Sequence, residues 1–243
     1  MTEYKNTENN VNSMSEEDKK SMEFLKSQEE QVVVIDIPNQ KSENETSETE
    51  KKKKHVNIFK QFLIPRVYYT AIAIYLLSIV TRIFIYILLK LFNLIDEDGK
   101  SLNEEGLEED LAKTNYSYKL VLYIVLIGPI LEELVFRLIL FRGISIIGEK
   151  IGKNNKFIRR FIKFLAYLIS SAVFAFGHFE FSFKVLISDF ANFPFYFIMG
   201  IYLAIAYDYD GYFLAAVLTH ILNNSVATLL NFLFWVYKMI IMK

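Results

Sequence analysis

The hydropathy of the chain falls into two parts, a polar head and a long apolar remainder. Residues 1 to about 60 are rich in Glu, Lys, Asn, Ser and Thr and carry little apolar patterning. Such a segment buries too little surface to offset the entropy of ordering it, so a disordered tail is predicted. One short β-prone island at 32–37 interrupts the tail and reads as a sticky patch within it. Five apolar stretches follow, at about 67–92, 116–147, 161–179, 185–207 and 212–242. A crossing needs roughly 20 helical residues, so most of these can span a bilayer. The second and fifth have surplus length for tilt, a kink or an interfacial end, and the third is the shortest. Pro129, after Gly128, is the natural kink point, because proline deletes a backbone donor and crowds the preceding turn. Neither an internal repeat nor the alternation of a β-barrel is visible. The predicted fold is all-α: a polytopic membrane bundle of about five or six transmembrane helices over residues 61–243, preceded by the tail of residues 1–60.

Composition sharpens this picture in three places. The net charge of -1 hides a segregation of acidic and basic groups along the chain, and implies no nucleic-acid partner. The absence of cysteine excludes disulfides, thiolate metal sites and thiol nucleophiles, which leaves histidine and carboxylate chemistry. The N-terminus lacks the basic start and apolar run of a signal peptide, so the first apolar stretch is expected to stay in place as a span. Lys51 to Lys54, Lys60 and Arg66 precede that span, and Lys153, Lys156, Arg159 and Arg160 fall in the loop after the second. Both basic groups predict a cytoplasmic head and place Lys238 and Lys243 on the opposite side. Asp96, Asp98, Gly99 and Glu105 lie at calcium-loop-like offsets, but Leu94 occupies the first ligand position, and the loop reads as solvated and acidic.

Charge inside the apolar stretches is where function can be argued. A charged side chain at mid-membrane costs roughly 2.5 to 3.5 kcal/mol on insertion scales, so such residues face a bundle interior or a wet cavity. Glu132, Glu133 and Arg137 all lie in the second stretch. Glu133 and Arg137, Phe174 and His178, and His220 and Asn224 are pairs four residues apart, which puts both members on one helix face. Glu133 and Arg137 can neutralise one another, leaving Glu132, about 100° around the helix, for a different neighbour. Asn223 is an alternative amide, but it does not share the face of His220. Arg82, in the first stretch, reads as snorkelling or paired within the bundle.

A carboxylate and two imidazoles around a hydrated pocket can activate water by general-base catalysis, and a carboxylate short of solvent is the stronger base. The Asn224 amide and a donor nitrogen of His220 can stabilise the oxyanion formed when water attacks a peptide carbonyl. The same groups, Glu132, His178 and His220, also make an accepted catalytic zinc set with one open position, here drawn from three helices. Residue counting places Glu132 near mid-span and His178 toward the far end of its stretch. A shared site therefore requires tilt, a longer third span or a cavity reaching inward. A proton-relay transporter is a further class, but transporters show repeated halves.

At these residues the chain resembles the CPBP family (CAAX protease and bacteriocin-processing, also called Abi), which includes the Rce1-type prenyl-protein proteases. The family signatures EExxxR, FxxxH and HxxxN read here as Glu132-Glu133-Leu-Val-Phe-Arg137, Phe174-Ala-Phe-Gly-His178 and His220-Ile-Leu-Asn-Asn224, in that order, within about residues 117 to 230. The resemblance implies an intramembrane endopeptidase in which Glu132 works with His178 to activate water. It also implies that Glu133, His220 and Asn224 complete the catalytic set, Arg137 orients the glutamates and Phe174 packs beside His178. Both a glutamate-dependent mechanism and a zinc mechanism follow from it. The implied partners are membrane lipid and a prenylated, hydrophobic or leader-bearing peptide. The rival implied by the immunity-associated branch is a membrane protein that captures a peptide without obligatory cleavage.

Overall fold

In the computed structural model, residues 57–95 and 100–241 are described. The expected tail, its island at 32–37 and the acidic turn at 96–99 lie outside the described residues, apart from the tail's last four positions. Among the described residues all regular structure is helical. Helix α1 is Ile58–Gln61, α2 is Pro65–Leu91 and α3 is Leu102–Lys113. A continuous helical run follows: α4 (Tyr118–Leu122), a π segment (Tyr123–Ile127), α5 (Gly128–Glu133), a second π segment (Leu134–Phe141) and α6 (Arg142–Ile151). Then come α7 (Lys156–Gly177), the short α8 (Phe183–Ser188), α9 (Phe193–Asp210) and α10 (Phe213–Ile241).

Four helices among the described residues are long and apolar enough to cross a membrane, at Pro65–Leu91, Lys156–Gly177, Phe190–Asp210 and Phe213–Ile241. The run from Tyr118 to Ile151 adds a fifth helical passage, divided between α and π turns. Two boundaries differ from the sequence expectation. The third span starts at Lys156, where the Asn155 side chain accepts from the amides of Phe157 and Ile158 and caps the helix before its apolar part begins. The fourth stretch is broken ahead of Pro194, so that α8 lies apart from α9.

Helix α9 packs against α2, α7 and α10, and α10 also packs against α2 and the α4–α5 region. Two carboxylates at the C-terminal end of α9 hold one end of the bundle together. Asp210 receives Arg66 in a two-nitrogen pairing at 2.9 and 3.0 Å and the Thr70 hydroxyl at 3.1 Å. Asp208 receives Lys163 and the Tyr167 hydroxyl, each at 2.7 Å. The starts of α2 and α7 therefore lie at the same end, as their basic residues predicted. Gly211 ends α9 at φ 75°, a left-handed turn that favours glycine and sends the chain back into α10. At the opposite end Lys100 sits over the Phe234 ring, so the C-terminal part of α10 lies with the α3 loop.

The exterior is the apolar part. Ile72, Leu76, Val80, Phe84 and Ile87 of α2 and Leu229, Leu230 and Leu233 of α10 are exposed, which suits hydrocarbon surroundings. The interior contacts use small residues. Ser170, Ser171 and Ala204 are fully buried, and a Cβ on Gly200 would stand 2.9 Å from both Cα and Cβ of Ser171. Close backbone approach of this kind favours packing in lipid, where apolar burial supplies little drive. Gly200→Ala is expected to destabilise the protein by about 1–3 kcal/mol through overpacking, read as a lowered thermal unfolding midpoint in detergent.

Candidate active site

Glu133 and Arg137 meet in a fully buried pair, Arg137 Nε to Glu133 Oε2 at 2.8 Å, with both side chains at 0% exposure. Only Nε of the arginine takes part in this hydrogen bond; its two Nη atoms are buried with no hydrogen-bond partner among the described residues. The second oxygen of Glu133 lies 3.1 Å from His220 Nδ1, and the Arg137 guanidinium rests over the Phe174 ring at 5.2 Å. A carboxylate can only accept, so Nδ1 of His220 carries the shared hydrogen and Nε2 is directed elsewhere. It faces Glu132, 3.8 Å from Oε2.

A cavity of about 810 Å³ opens beside this group, bordered by Glu132, His178, His220, Asn224, Tyr196 and Arg82. It extends to Ser101, Glu104 and Glu108 of α3, at the end of the bundle opposite Arg66. The cavity accounts for the depth difference counted on the sequence: His178 stands toward the outer end and Glu132 and His220 deeper, all on one wall system. Glu133 does not border the cavity; it stands behind His220. Glu132 Oε2 is buried and has no hydrogen-bond partner among the described residues, although the side chain as a whole keeps 37% exposure.

His178 follows the last turn of α7. Its Nδ1 lies 3.1 Å from the Phe174 carbonyl, an acceptor, which leaves Nε2 as the ring's accepting nitrogen. Phe174 links the motifs physically: its ring is 4.8 Å from that of His178, 5.6 Å from that of His220 and 5.4 Å edge-on from Phe136. Tyr196, which the sequence did not single out, stacks on His178 at 4.3 Å. Its hydroxyl bonds Ser101 Oγ at 2.5 Å and receives Asn103 at 3.3 Å. This ties α3 to the site, and nothing in the local pattern of α9 distinguishes Tyr196 from its neighbouring aromatics.

Asn224 has a further task that is readable only with the backbone in view. In the first π segment the Gly128 amide donates to the Tyr123 carbonyl, five residues back. The next bond in that register would run from residue 129 to the Ile124 carbonyl, and Pro129 has no amide hydrogen. Asn224 Nδ2 donates to this carbonyl at 3.0 Å. The π turn thus accommodates the proline, and a side chain from α10 supplies the missing donor. The Asn224 oxygen accepts from Asn223 at 3.1 Å, and the second hydrogen on Nδ2 remains for the cavity.

The zinc set of Glu132, His178 and His220 does not fit this arrangement: among the described residues no three His, Cys, Asp or Glu side chains gather closely enough to hold a metal ion.

Residues of all three motifs thus border one cavity in a multi-pass helical bundle. Residues 114–226 match the family model of Rce1-like type II CAAX prenyl endopeptidases. Over 115 residues the chain is 30% identical to the membrane-embedded CAAX protease MroQ of Staphylococcus aureus (strain USA300), an alignment that covers 46% of this chain and 39% of that protein. The chain thus matches about two fifths of the length of this curated relative. No solved structure matches it. The matched region belongs to the CPBP family, and the protein is an integral, multi-pass membrane protein.

Because Asn224 stands in for a backbone amide, Asn224→Ala is expected to cost about 1–3 kcal/mol, the penalty for a carbonyl left unpaired. Adding Pro129→Ala restores an amide hydrogen, and the double variant should recover most of that loss in a thermal double-mutant cycle. Strict additivity of the two changes would show that the two positions are not coupled in this way.

Proposed function

We propose that this protein is an intramembrane endopeptidase that cleaves a peptide bond in a prenylated, hydrophobic or leader-bearing peptide. The observation that carries this reading is the unpartnered Glu132 carboxylate at the wall of a cavity that also exposes both motif histidines. In this reading a water molecule gives one hydrogen bond to the accepting Nε2 of His178 and its proton to Glu132. The resulting hydroxide attacks the scissile carbonyl, and the second Nδ2 hydrogen of Asn224 stabilises the oxyanion. Collapse of the tetrahedral intermediate breaks the C–N bond as Glu132 returns its proton to the leaving nitrogen.

Glu133 acts through His220: with Nδ1 fixed by Glu133, Nε2 stands 3.8 Å from Glu132 and tunes its charge as the proton arrives and departs. Arg137 holds Glu133 in place. The family match and the similarity to the CAAX protease MroQ support peptide cleavage as the reaction class.

The test uses the full-length protein in detergent with a panel of prenylated and leader-bearing peptides. Glu132→Ala and His178→Ala are each expected to lower kcat/KM by about 10²-fold or more, with folding retained by thermal unfolding. Peptide binding with no cleavage by the unmutated protein, or undiminished cleavage by both variants, would favour the capture reading. Metal analysis and chelator treatment of the active protein test the zinc mechanism separately.

A further inference from the structure

Helix α2 is apolar between Arg66 and Lys90 except for one charged residue, Arg82, which stands about 14 Å inward of the end of the helix. The position lies outside residues 114–226, the region matched by the family model. A cation at such depth in a span calls for a partner inside the bundle. Glu104, Glu108 and Glu132 border the same cavity, so charge on that wall requires nothing from outside. What singles Arg82 out is the group it touches. Its Nη2 donates to Oδ1 of Asn223 at 2.8 Å, while its Nε is buried with no hydrogen-bond partner among the described residues. Asn223 donates in turn from Nδ2 to Oδ1 of Asn224 at 3.1 Å, and Asn224 donates from Nδ2 to the Ile124 carbonyl at 3.0 Å.

The polarity of this chain is fixed from both ends. A guanidinium only donates and a backbone carbonyl only accepts, whereas an amide side chain can present either face to a neighbour. With Arg82 at one end and Ile124 at the other, the two amides between them have a single orientation, the one that leaves the second Nδ2 hydrogen of Asn224 for the cavity. Consecutive hydrogen bonds also polarise one another, so a cation on the accepting oxygen of Asn223 makes Asn224 the stronger donor. We propose that Arg82 is a positioning residue for the reaction: acting through Asn223, it orients and polarises the Asn224 amide that receives the oxyanion. The inference rests on the endopeptidase reading and deepens it by giving the site a supporting residue from α2.

Two measurements separate positioning from turnover. The full chain, carrying isotope-labelled asparagine, is placed in phosphatidylcholine nanodiscs, and the side-chain amide resonance of Asn224 is identified by its loss in Asn224→Ala. Arg82→Met, similar in length but without a donor, is expected to speed exchange of the Asn224 amide hydrogens with water by about tenfold or more, and Arg82→Lys to keep part of the protection. With the panel peptide that the unmutated protein cleaves fastest, Arg82→Met should lower kcat by about tenfold with KM unchanged, a smaller loss than removal of a whole oxyanion donor. Asn223→Ala should match it, and the double variant should lose no more than either single change. Unchanged exchange in Arg82→Met, a defect confined to KM or thermal stability, or strict additivity of the two changes in kcat would overturn the proposal. Faster exchange in Arg82→Met, in a protein whose unmutated form cleaves no peptide, would keep the control of Asn224 by Arg82 and remove the endopeptidase reading.

Discussion

The site is organised around a charge pair that water cannot reach. Glu133 and Arg137 lie one turn apart on the same helix, and removing either would leave its partner charged and buried, which typically costs 3–5 kcal/mol. Because each is enclosed by the other, the remaining Glu133 oxygen is free to fix an imidazole from a helix distant in sequence. That single bond joins the second apolar stretch to the last one. Phe174 completes the group from a third helix, with its face under Arg137 and its ring in contact with those of both histidines. Charge neutralisation, histidine orientation and helix packing are therefore one arrangement, and a lesion in any part is felt in the others.

The helix that carries the glutamates is irregular on both sides of them. A π turn widens the backbone before Gly128 and another follows Glu133, and such turns are frequent at functional sites because they re-aim side chains and free carbonyls. Here the first one absorbs Pro129 and frees the Ile124 carbonyl for Asn224. The proline that reads as a kink in the sequence is thus one half of an interhelical bond, and the motif asparagine has a share in the architecture as well as a place on the cavity wall.

Much of the site was legible because it is local. Pairs four residues apart share a face whatever the tertiary structure, so Glu133 with Arg137 and Phe174 with His178 could be read as units, and Glu132 could be separated from Glu133 by the turn of the helix. The five apolar passages were legible for a similar reason, since length and hydropathy do not depend on neighbours. Tyr196 on His178, Arg82 on Asn223 and Asn224 on Ile124 depend instead on the register between helices, which no periodicity encodes. The early start of α7 was missed because Arg159, Arg160 and Lys163 mask a helical turn whose cap, Asn155, is its one local sign.

One aromatic ring connects the outermost part of the cavity to its chemistry. Tyr196 lies flat on His178 while its hydroxyl holds the first turn of α3 through Ser101 and Asn103. Any shift of that turn would surrender the phenol's two tethers. The imidazole beneath would then lose its flat support, which makes the histidine's alignment depend on a helix that carries none of the three motifs.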